Sequence, residues 1–340
     1  YEYVGVYVDD LEIASHSPNE FIQELRTTYQ FKLKGTGPMT YHLGCDFTRD
    51  GDNVLVQLPK KYLERAFDEY TRIFGEKPRL GSSPLEKGDH PEIDTMEYLG
   101  FDDIKKYQSV IGSLQWAISL GRFDIATAVM TLSAFRAVPR KGHLERAKRV
   151  VGYLYKMRHA ALRYQTQAPD FSDLPESNAQ WDNSVYGDVK ELLPHDLPEA
   201  KGKPVTTAAY VNANLYNCLM TGRSVTGIIH LLNKTAIDWF TKKQGTVETA
   251  TYGSEYVAAR IGTEQLMDLR NTLRYLGVPI TASLMFGDNK SVVDSSMIPH
   301  SQLNKRHTAL SYHRVREAIC ADVFKFYHIY GTENPSDILS

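Results

Sequence analysis

Two sets of acidic residues in this 340-residue chain have types and spacing suited to chemistry. The first is the adjacent pair Asp9-Asp10, which ends the apolar run of residues 3–8. Paired carboxylates beside apolar strand residues need solvent, a base or a metal ion. No Lys or Arg occurs in the first twenty residues. A hard divalent ion, Mg2+ or Mn2+, meets the need because it prefers carboxylate oxygens. Strand alternation sends the two side chains to opposite faces, so one of them is the expected main ligand. An ordinary acidic turn is the competing reading of a bare Asp-Asp pair.

The second set is Glu255, Asp288 and Asp337. Glu255 falls in the first turn of an expected long helix. Asp288 follows a short apolar strand in Phe286-Gly287-Asp288-Asn289, where a carboxylate projects from the strand's C-terminal edge. Asp337 follows Asn334-Pro335, which read as a helix cap and first helical residue. Carboxylates from a helix start, a strand end and a second helix start can converge on divalent ions. Singly, each has a plainer reading: first helical turns favour acids through the helix dipole, and Gly-Asp-Asn is a common turn.

The elements that must position these groups follow from periodicity. Residues 1–57 read as β-rich, with Val4, Val6 and Val8 alternating with Tyr3, Gly5 and Tyr7. A helix is expected over 17–29, then strands over 39–47 and 54–58, separated by the turn Arg49-Asp50-Gly51-Asp52. Residues 58–165 read as mostly helical, with helices over about 62–73, 104–119, 124–137 and 143–157, Pro139 ending the third. Residues 166–204 crowd Asp170, Asp173, Glu176, Asp182, Asp188, Glu191, Asp196 and Glu199 with prolines, and read as an acidic linker. Residues 205–340 give strands over 206–216, 226–232 and 236–241, a helix over 251–276 and a strand over 283–286. Three strands followed by alternating helix and strand predict a mixed sheet with helices on its faces. The fold class is thus a multidomain α+β and α/β chain.

The order of short motifs carries a family resemblance. Gly5-Val6-Tyr7-Val8-Asp9-Asp10 resembles the metal-binding hairpin of reverse transcriptases. Phe31-Lys32-Leu33-Lys34-Gly35 with Tyr41-His42-Leu43-Gly44, Tyr107-Gln108-Ser109-Val110-Ile111-Gly112-Ser113-Leu114, Arg122-Phe123-Asp124-Ile125-Ala126 and Pro139-Arg140-Lys141-Gly142-His143-Leu144 resemble copia-type LTR retrotransposon Pol polyproteins. So do Thr221-Gly222-Arg223-Ser224-Val225-Thr226-Gly227, Asp238-Trp239-Phe240-Thr241-Lys242-Lys243-Gln244, Tyr252-Gly253-Ser254-Glu255-Tyr256, Gly287-Asp288-Asn289-Lys290-Ser291 and Asn334-Pro335-Ser336-Asp337-Ile338-Leu339. The resemblance spans nearly the whole chain in the family's order. It implies the end of a reverse transcriptase palm over 1–57, a helical thumb and connection region over 58–165, and an RNase H-like domain over 205–340. It further implies RNA-directed DNA synthesis coupled to degradation of the RNA strand, with an RNA–DNA hybrid, a template-primer and the rest of the polyprotein as partners. Asp9 and Asp10 would then serve the palm, and Glu255, Asp288 and Asp337 match three of four RNase H metal-binding acids.

Two departures matter. The family's palm uses a further aspartate from an upstream strand that this chain does not contain, and two-metal transfer holds its ions about 3.5–4 Å apart with carboxylates from both strands. This chain alone is therefore expected not to polymerise DNA. The family also places an aspartate in the first RNase H strand, two residues after a tyrosine, where Tyr210-Val211-Asn212 has asparagine. Asn212 offers one neutral carbonyl oxygen and no charge. A register shift to Asn214 supplies asparagine again. RNase H activity is expected to be absent or badly impaired, through decay of an old copy, deliberate inactivation or retention for another role. A catalytically dead nucleic-acid-binding or structural scaffold is the alternative.

Weaker signals are basic. Arg136, Arg140, Lys141, Arg146, Lys148 and Arg149 cluster around one helix and could track hybrid phosphates or simply solvate its face. Lys242 and Lys243 could reach the hybrid near the acids. Lys305-Arg306-His307 matches a basic family motif, and His307 is more simply structural than catalytic. Trp116, Trp181 and Trp239 read as core or interface residues. The formal net charge of -2 supplies no global positive field. Cys45, Cys218 and Cys320 are too far apart for metal-ligand spacing and suit a reducing compartment. No bilayer-length apolar run or secretory signal is present. Both ends fall inside expected elements, so a piece of a longer protein is expected. The family implies an intracellular setting, with a cytoplasmic particle and nuclear delivery.

Overall fold

The computed structural model describes residues 1–51, 54–175, 180–303 and 306–340. The chain opens with β1 (Tyr3–Tyr7) and β2 (Asp10–Ala14), an antiparallel hairpin in which Tyr7 faces Asp10. Val8 and Asp9 form its turn, with Val8 at φ 53°. The apolar run therefore ends one residue early, and strand alternation does not govern the Asp9-Asp10 pair. After α1 (Pro18–Thr27) come β3 (Tyr41–His42), β4 (Cys45–Arg49) and β5 (Leu55–Leu58). The single strand expected over 39–47 is broken between β3 and β4, because Leu43 and Gly44 both take positive φ. A Cβ on Gly44 would meet Tyr62 Cβ at 3.1 Å, so this reversal fits tightly under the next helix. Asp52, in the expected turn before β5, lies outside the described residues.

Helices α2 (Lys60–Phe74), α3 (Phe101–Ser119), α4 (Ala126–Ser133) and α5 (Lys141–Lys156) close one apolar core around Leu63, Tyr107, Ile111, Leu132, Ala147 and Leu154. α4 is shorter than expected at both ends. It starts from a 3-10 turn, Phe123–Ile125, and it stops well before Pro139. Its end is met by α3: Tyr107 Oη donates to Leu132 O at 2.7 Å, and beyond the helix Gln108 Nε2 donates to Arg136 O at 2.9 Å. Phe135 N–H closes onto Leu132 O at 3.0 Å, the tighter turn in which the helix stops. The helical run then returns as β6 (Leu162–Tyr164), which joins β5 to complete the sheet β3-β4-β5-β6.

Residues 166–204, expected as a linker, meet the last domain at several points; Glu176 lies outside the described residues. Phe171 sits 5.6 Å from the Phe286 ring, centroid to centroid. Tyr186, at the end of the short α6 (Asn183–Tyr186), shares a 2.8 Å hydrogen bond with His313 Nδ1. Glu191 forks onto Arg270 and Arg274. The acidic composition hid three apolar or buried anchors that make this stretch a strap.

The last domain comprises β7 (Val205–Cys218), β8 (Arg223–Leu232), β9 (Thr235–Lys243), α7 (Thr251–Tyr275), β10 (Ile280–Gly287), α8 (Lys290–Met297), α9 (Ala309–Cys320) and β11 (Lys325–His328). Its sheet order is β11-β10-β7-β8-β9. The first three strands are antiparallel neighbours, whereas β10 runs parallel to both β7 and β11. This is the mixed, helix-flanked sheet that the strand pattern predicts. Its core joins Val211, Ile228, Tyr256, Leu266, Met285 and Phe326. The chain ends in a 3-10 helix, Pro335–Leu339, rather than the expected α-helix. Trp239 of β9 lies on Phe123, with ring centroids 5.0 Å apart, and fixes the helical unit against this sheet. Among the described residues no helix is long and apolar enough to cross a membrane.

Candidate active site

The central strand supplies the first member of the site. Asn212 lies on β7, buried, opposite Gly227 of β8. Parallel pairing aligns Val211 with Gly287 at the end of β10, so Asp288 emerges at the same sheet end. Helix α7 packs on β7 and carries Glu255, which is 7% exposed. Glu255 is the fifth residue of α7, in the second turn rather than the expected first, so the dipole argument for acids in first turns does not explain it. Asp337 is exposed on the Pro335–Leu339 turn. Asn334 fixes that turn in two ways: its Nδ2 donates to Val211 O at 3.0 Å, and its Oδ1 accepts from the Ser336 N–H at 3.1 Å.

These placements set Asp337 on Asn212, Asp288 within electrostatic reach of Asp337, and Glu255 within reach of Asp288. Asn212 Nδ2 donates to Asp337 Oδ1 at 3.1 Å and to Ser340 Oγ at 3.0 Å, while its Oδ1 accepts from the Ala213 N–H at 2.8 Å. Burial pushes Glu255 well above the usual carboxylate range, the Asp288 charge adds to the rise, and the Ala213 N–H opposes it. Asp288 is raised by burial and by Asp337, against its own backbone N–H, His328 and Asn334. Among the described residues, no Lys or Arg forms an ion pair with any of the three acids.

A crowded set of oxygen donors with no cationic partner fits a hard divalent ion in kind and in charge. The Asn212 amide fits it less well, because a proton donor faces Asp337 where an anionic ligand would stand. Among the described residues no three His, Cys, Asp or Glu side chains stand close enough to share one ion.

The raised Glu255 has a testable consequence. Between its ordinary and its folded pKa, the native state holds a proton that the unfolded chain releases. Its contribution to stability is therefore complete in acid and falls as pH rises through the folded value. Glu255→Gln should accordingly stabilise the metal-free chain at pH 8, by on the order of 1–3 kcal/mol, and change little at pH 5. Thermal melts with a chelator at both pH values check this; equal effects at both would contradict it.

The other candidate residues lie elsewhere. Asp9 and Asp10 are exposed at the hairpin tip, far in sequence from the second acid set, with Asp10 Oδ2 3.9 Å from His42 Nδ1. The α5 cations, which could track hybrid phosphates or simply solvate the helix face, meet protein partners in the folded chain. Arg140 donates to Met96 O and Tyr98 Oη and lies over the Tyr98 ring; Lys141 pairs with Glu97, and Lys148 with Glu145. Arg146 binds Asp89 and Asp94, and Arg149 binds Glu86. Arg140, Lys141, Arg146 and Arg149 thereby hold the 83–98 segment on α5, whereas the Lys148 pair lies within the helix. Arg136 donates to Gln115. Lys242 and Lys243 line a groove of about 790 Å³ with Arg260, Arg314, His307 and Glu248. His307 Nε2 is 3.3 Å from the Glu248 carboxylate, and Lys305 lies outside the described residues.

Sequence reasoning missed the residues that seat Asp337. Thr241 Oγ1 donates to Leu339 O at 2.6 Å, and Thr127 Oγ1 donates to Ile338 O at 3.0 Å. Nothing local to Thr127 or Thr241 signals a partner 211 or 98 residues away.

No protein-family model matches the chain. It is 30% identical over 274 residues to the putative transposon Ty5-1 protein of Saccharomyces cerevisiae, covering 78% of this chain and 73% of that protein. It is 26% identical over 341 residues to the retrovirus-related Pol polyprotein from transposon TNT 1-94 of Nicotiana tabacum, covering 98% of this chain and spanning 23% of that protein's length. Among solved structures, it matches RNase H1 from the archaeon Halobacterium salinarum with TM-score 0.30 and 14% identity, over 40% of this chain and 94% of that one. A foamy viral protease-reverse transcriptase in complex with dsDNA matches with TM-score 0.41 and 11% identity, over 96% and 55%. The motif order and the extent of the yeast match show that the chain belongs to the Ty/copia-type retrotransposon Pol polyproteins.

Proposed function

We propose that the chain is a reverse transcriptase and RNase H segment of a retrotransposon Pol polyprotein. Residues 1–57 belong to the palm, 58–165 to the thumb and connection, and 205–340 to a domain that acts on the RNA strand of an RNA–DNA hybrid. The reading is carried by Asp337 set on Asn212, Asp288 within reach of Asp337 and Glu255 within reach of Asp288, from elements 125 residues apart. Taken in neighbouring pairs, Glu255 with Asp288 and Asp288 with Asp337, these acids would hold Mg2+ or Mn2+, which when bound would supply positive charge against the scissile phosphodiester and acidify the attacking water. The protein's own share is orientation. α7 buries Glu255 against β7, the end of β10 presents Asp288, and the Asn334-capped turn presents Asp337 toward both. Lys242 and Lys243, at the same end of the sheet, would meet hybrid phosphates. The activity is impaired, because the strand position between the acids is neutral. The test is hybrid cleavage before and after Asn212→Asp.

A second reading is a catalytically inert nucleic-acid-binding or structural scaffold. It is favoured by one observation, the Asn212 amide that already satisfies Asp337 without an ion. Magnesium titration by calorimetry separates the two: an ion bound at a site sensitive to Glu255→Gln supports the enzyme reading.

For the palm, Asp9 and Asp10 are the acids we assign to polymerisation. Beside them stands Glu12 of β2, which shares His42 with Asp10, and not the upstream-strand aspartate that the family's palm uses. Primer extension with the isolated chain and magnesium should give no product; robust synthesis would contradict the assignment.

A further inference from the structure

Asp337 stands on a five-residue 3-10 turn, a geometry too short to hold itself. Its position is imposed by what surrounds it. β7 takes the Asn334 amide through Val211 O. β8 is pressed flat against the turn at Gly227, where a Cβ would lie 2.6 Å from Ser336 O and 2.7 Å from the Leu339 carbonyl carbon. β9 holds Leu339 O through Thr241. Those three contacts come from the domain that contains the turn.

The fourth does not. Thr127, on α4 of the helical unit, donates to Ile338 O at 3.0 Å. Ala126 beside it is buried with Leu339 and Ile229 in one small apolar cluster. Phe123, at the start of the same segment, lies on Trp239. The helical unit therefore contacts the two residues that directly follow Asp337.

We infer that Thr127 is a positioning residue for Asp337, so that the helical unit completes the seat of an acid that works in the other unit. The inference rests on the acid-cluster reading above and extends it, because it makes the C-terminal site depend on the preceding region. A hydroxyl-to-carbonyl bond lost at such a seat is worth about a fivefold change in an equilibrium. A bond that merely staples two units together would loosen both sides alike. A bond that seats Asp337 loosens the turn first.

The experiment uses the full chain, carrying Thr127→Val or Thr127→Ser, each with Asn212 and with Asn212→Asp. Hydrogen exchange at the Ser336, Asp337 and Ser340 amides reports the turn, since all three N–H groups are hydrogen-bonded. Manganese titration by calorimetry reports the acids. We expect Thr127→Val to speed exchange of those amides about fivefold, leave β7 amides unchanged and weaken manganese binding in the Asn212→Asp chain about fivefold. Thr127→Ser, which keeps the hydroxyl, should restore both to within about twofold. Unchanged exchange in the valine variant, or equal acceleration in both units, overturns the inference. If the turn responds but no manganese site sensitive to Glu255→Gln exists, the seat stands and the acid-cluster reading fails.

Discussion

Asn212→Asp should raise magnesium-dependent cleavage of an RNA–DNA hybrid by roughly 10²–10⁴-fold, the rate equivalent of restoring about 3–5 kcal/mol of transition-state and ion stabilisation. The substitution is nearly isosteric, so the surrounding backbone need not move. It changes what faces Asp337. The Nδ2 that now donates to Asp337 Oδ1 at 3.1 Å becomes a carboxylate oxygen, and a stabilising hydrogen bond becomes a like-charge contact. Without ions the variant should therefore melt below the parent chain, because Glu255 and Asp288 already crowd the same space. With millimolar magnesium it should regain stability, since an ion that binds only the folded state stabilises it by mass action. The parent chain should respond weakly to magnesium in both assays. Adding Asp288→Asn to the variant should abolish the gain in cleavage. Ordinary cleavage by the parent chain would refute impairment at Asn212. A variant that neither cleaves nor shifts its melting with magnesium would refute the acid cluster itself.

The placement of two acids was legible in the sequence because it depends on element ends, while their assigned role came from the family resemblance. Asp288 follows an apolar strand and Asp337 follows an Asn-Pro cap, and both signals are local. The neutral residue at 212 stood out only through the family resemblance, which places an aspartate two residues after the tyrosine. The α5 cations were not legible in this way. Their spacing shows that positive charge is present, but the carboxylates that meet Arg146 sit 52 and 57 residues earlier, on a segment with no periodic signal. The short α4 failed for a similar reason. Its propensity runs on to Pro139, but α3 side chains take Leu132 O at its end and Arg136 O just beyond it. At 39–47 a strand-like composition hides the two positive-φ residues that split it. Composition also misled over residues 166–204. Eight acids and several prolines describe solvated chain on average, whereas Phe171, Tyr186 and Glu191 decide what the segment does.

Glu191→Ala should cost about 3–5 kcal/mol of stability, the usual penalty for removing one partner of a buried ion pair. The carboxylate is 11% exposed and receives Arg270 Nε at 2.9 Å, Arg270 Nη2 at 2.7 Å, Arg274 Nη1 at 2.9 Å and Arg274 Nη2 at 2.6 Å. Both arginines belong to the last two turns of α7. Arg274 can swing toward water, but Arg270 is 8% exposed and would keep only Ser283 as a partner. Most of the penalty is thus an uncompensated guanidinium rather than a lost attraction. Burial alone would raise Glu191, but the two forks overcome it and hold the carboxyl at about 2. A carboxylate depressed in this way stabilises the fold above its ordinary range and loses that contribution as pH falls from about 4.5 toward 2. Denaturant titrations should therefore separate parent and variant widely at pH 7 and bring them together near pH 2. Two other strap acids form ion pairs, Asp188 with Lys190 and Glu199 with Lys201; both are surface pairs, and their alanine variants should stay within about 1 kcal/mol of the parent. Limited proteolysis at neutral pH gives the spatial test. Release of the strap should expose cleavage sites within 183–204 in Glu191→Ala before the sheet is attacked. Parallel loss of strap and sheet would instead show that Glu191 acts on the domain as a whole, and an unchanged midpoint would show that the forks contribute nothing.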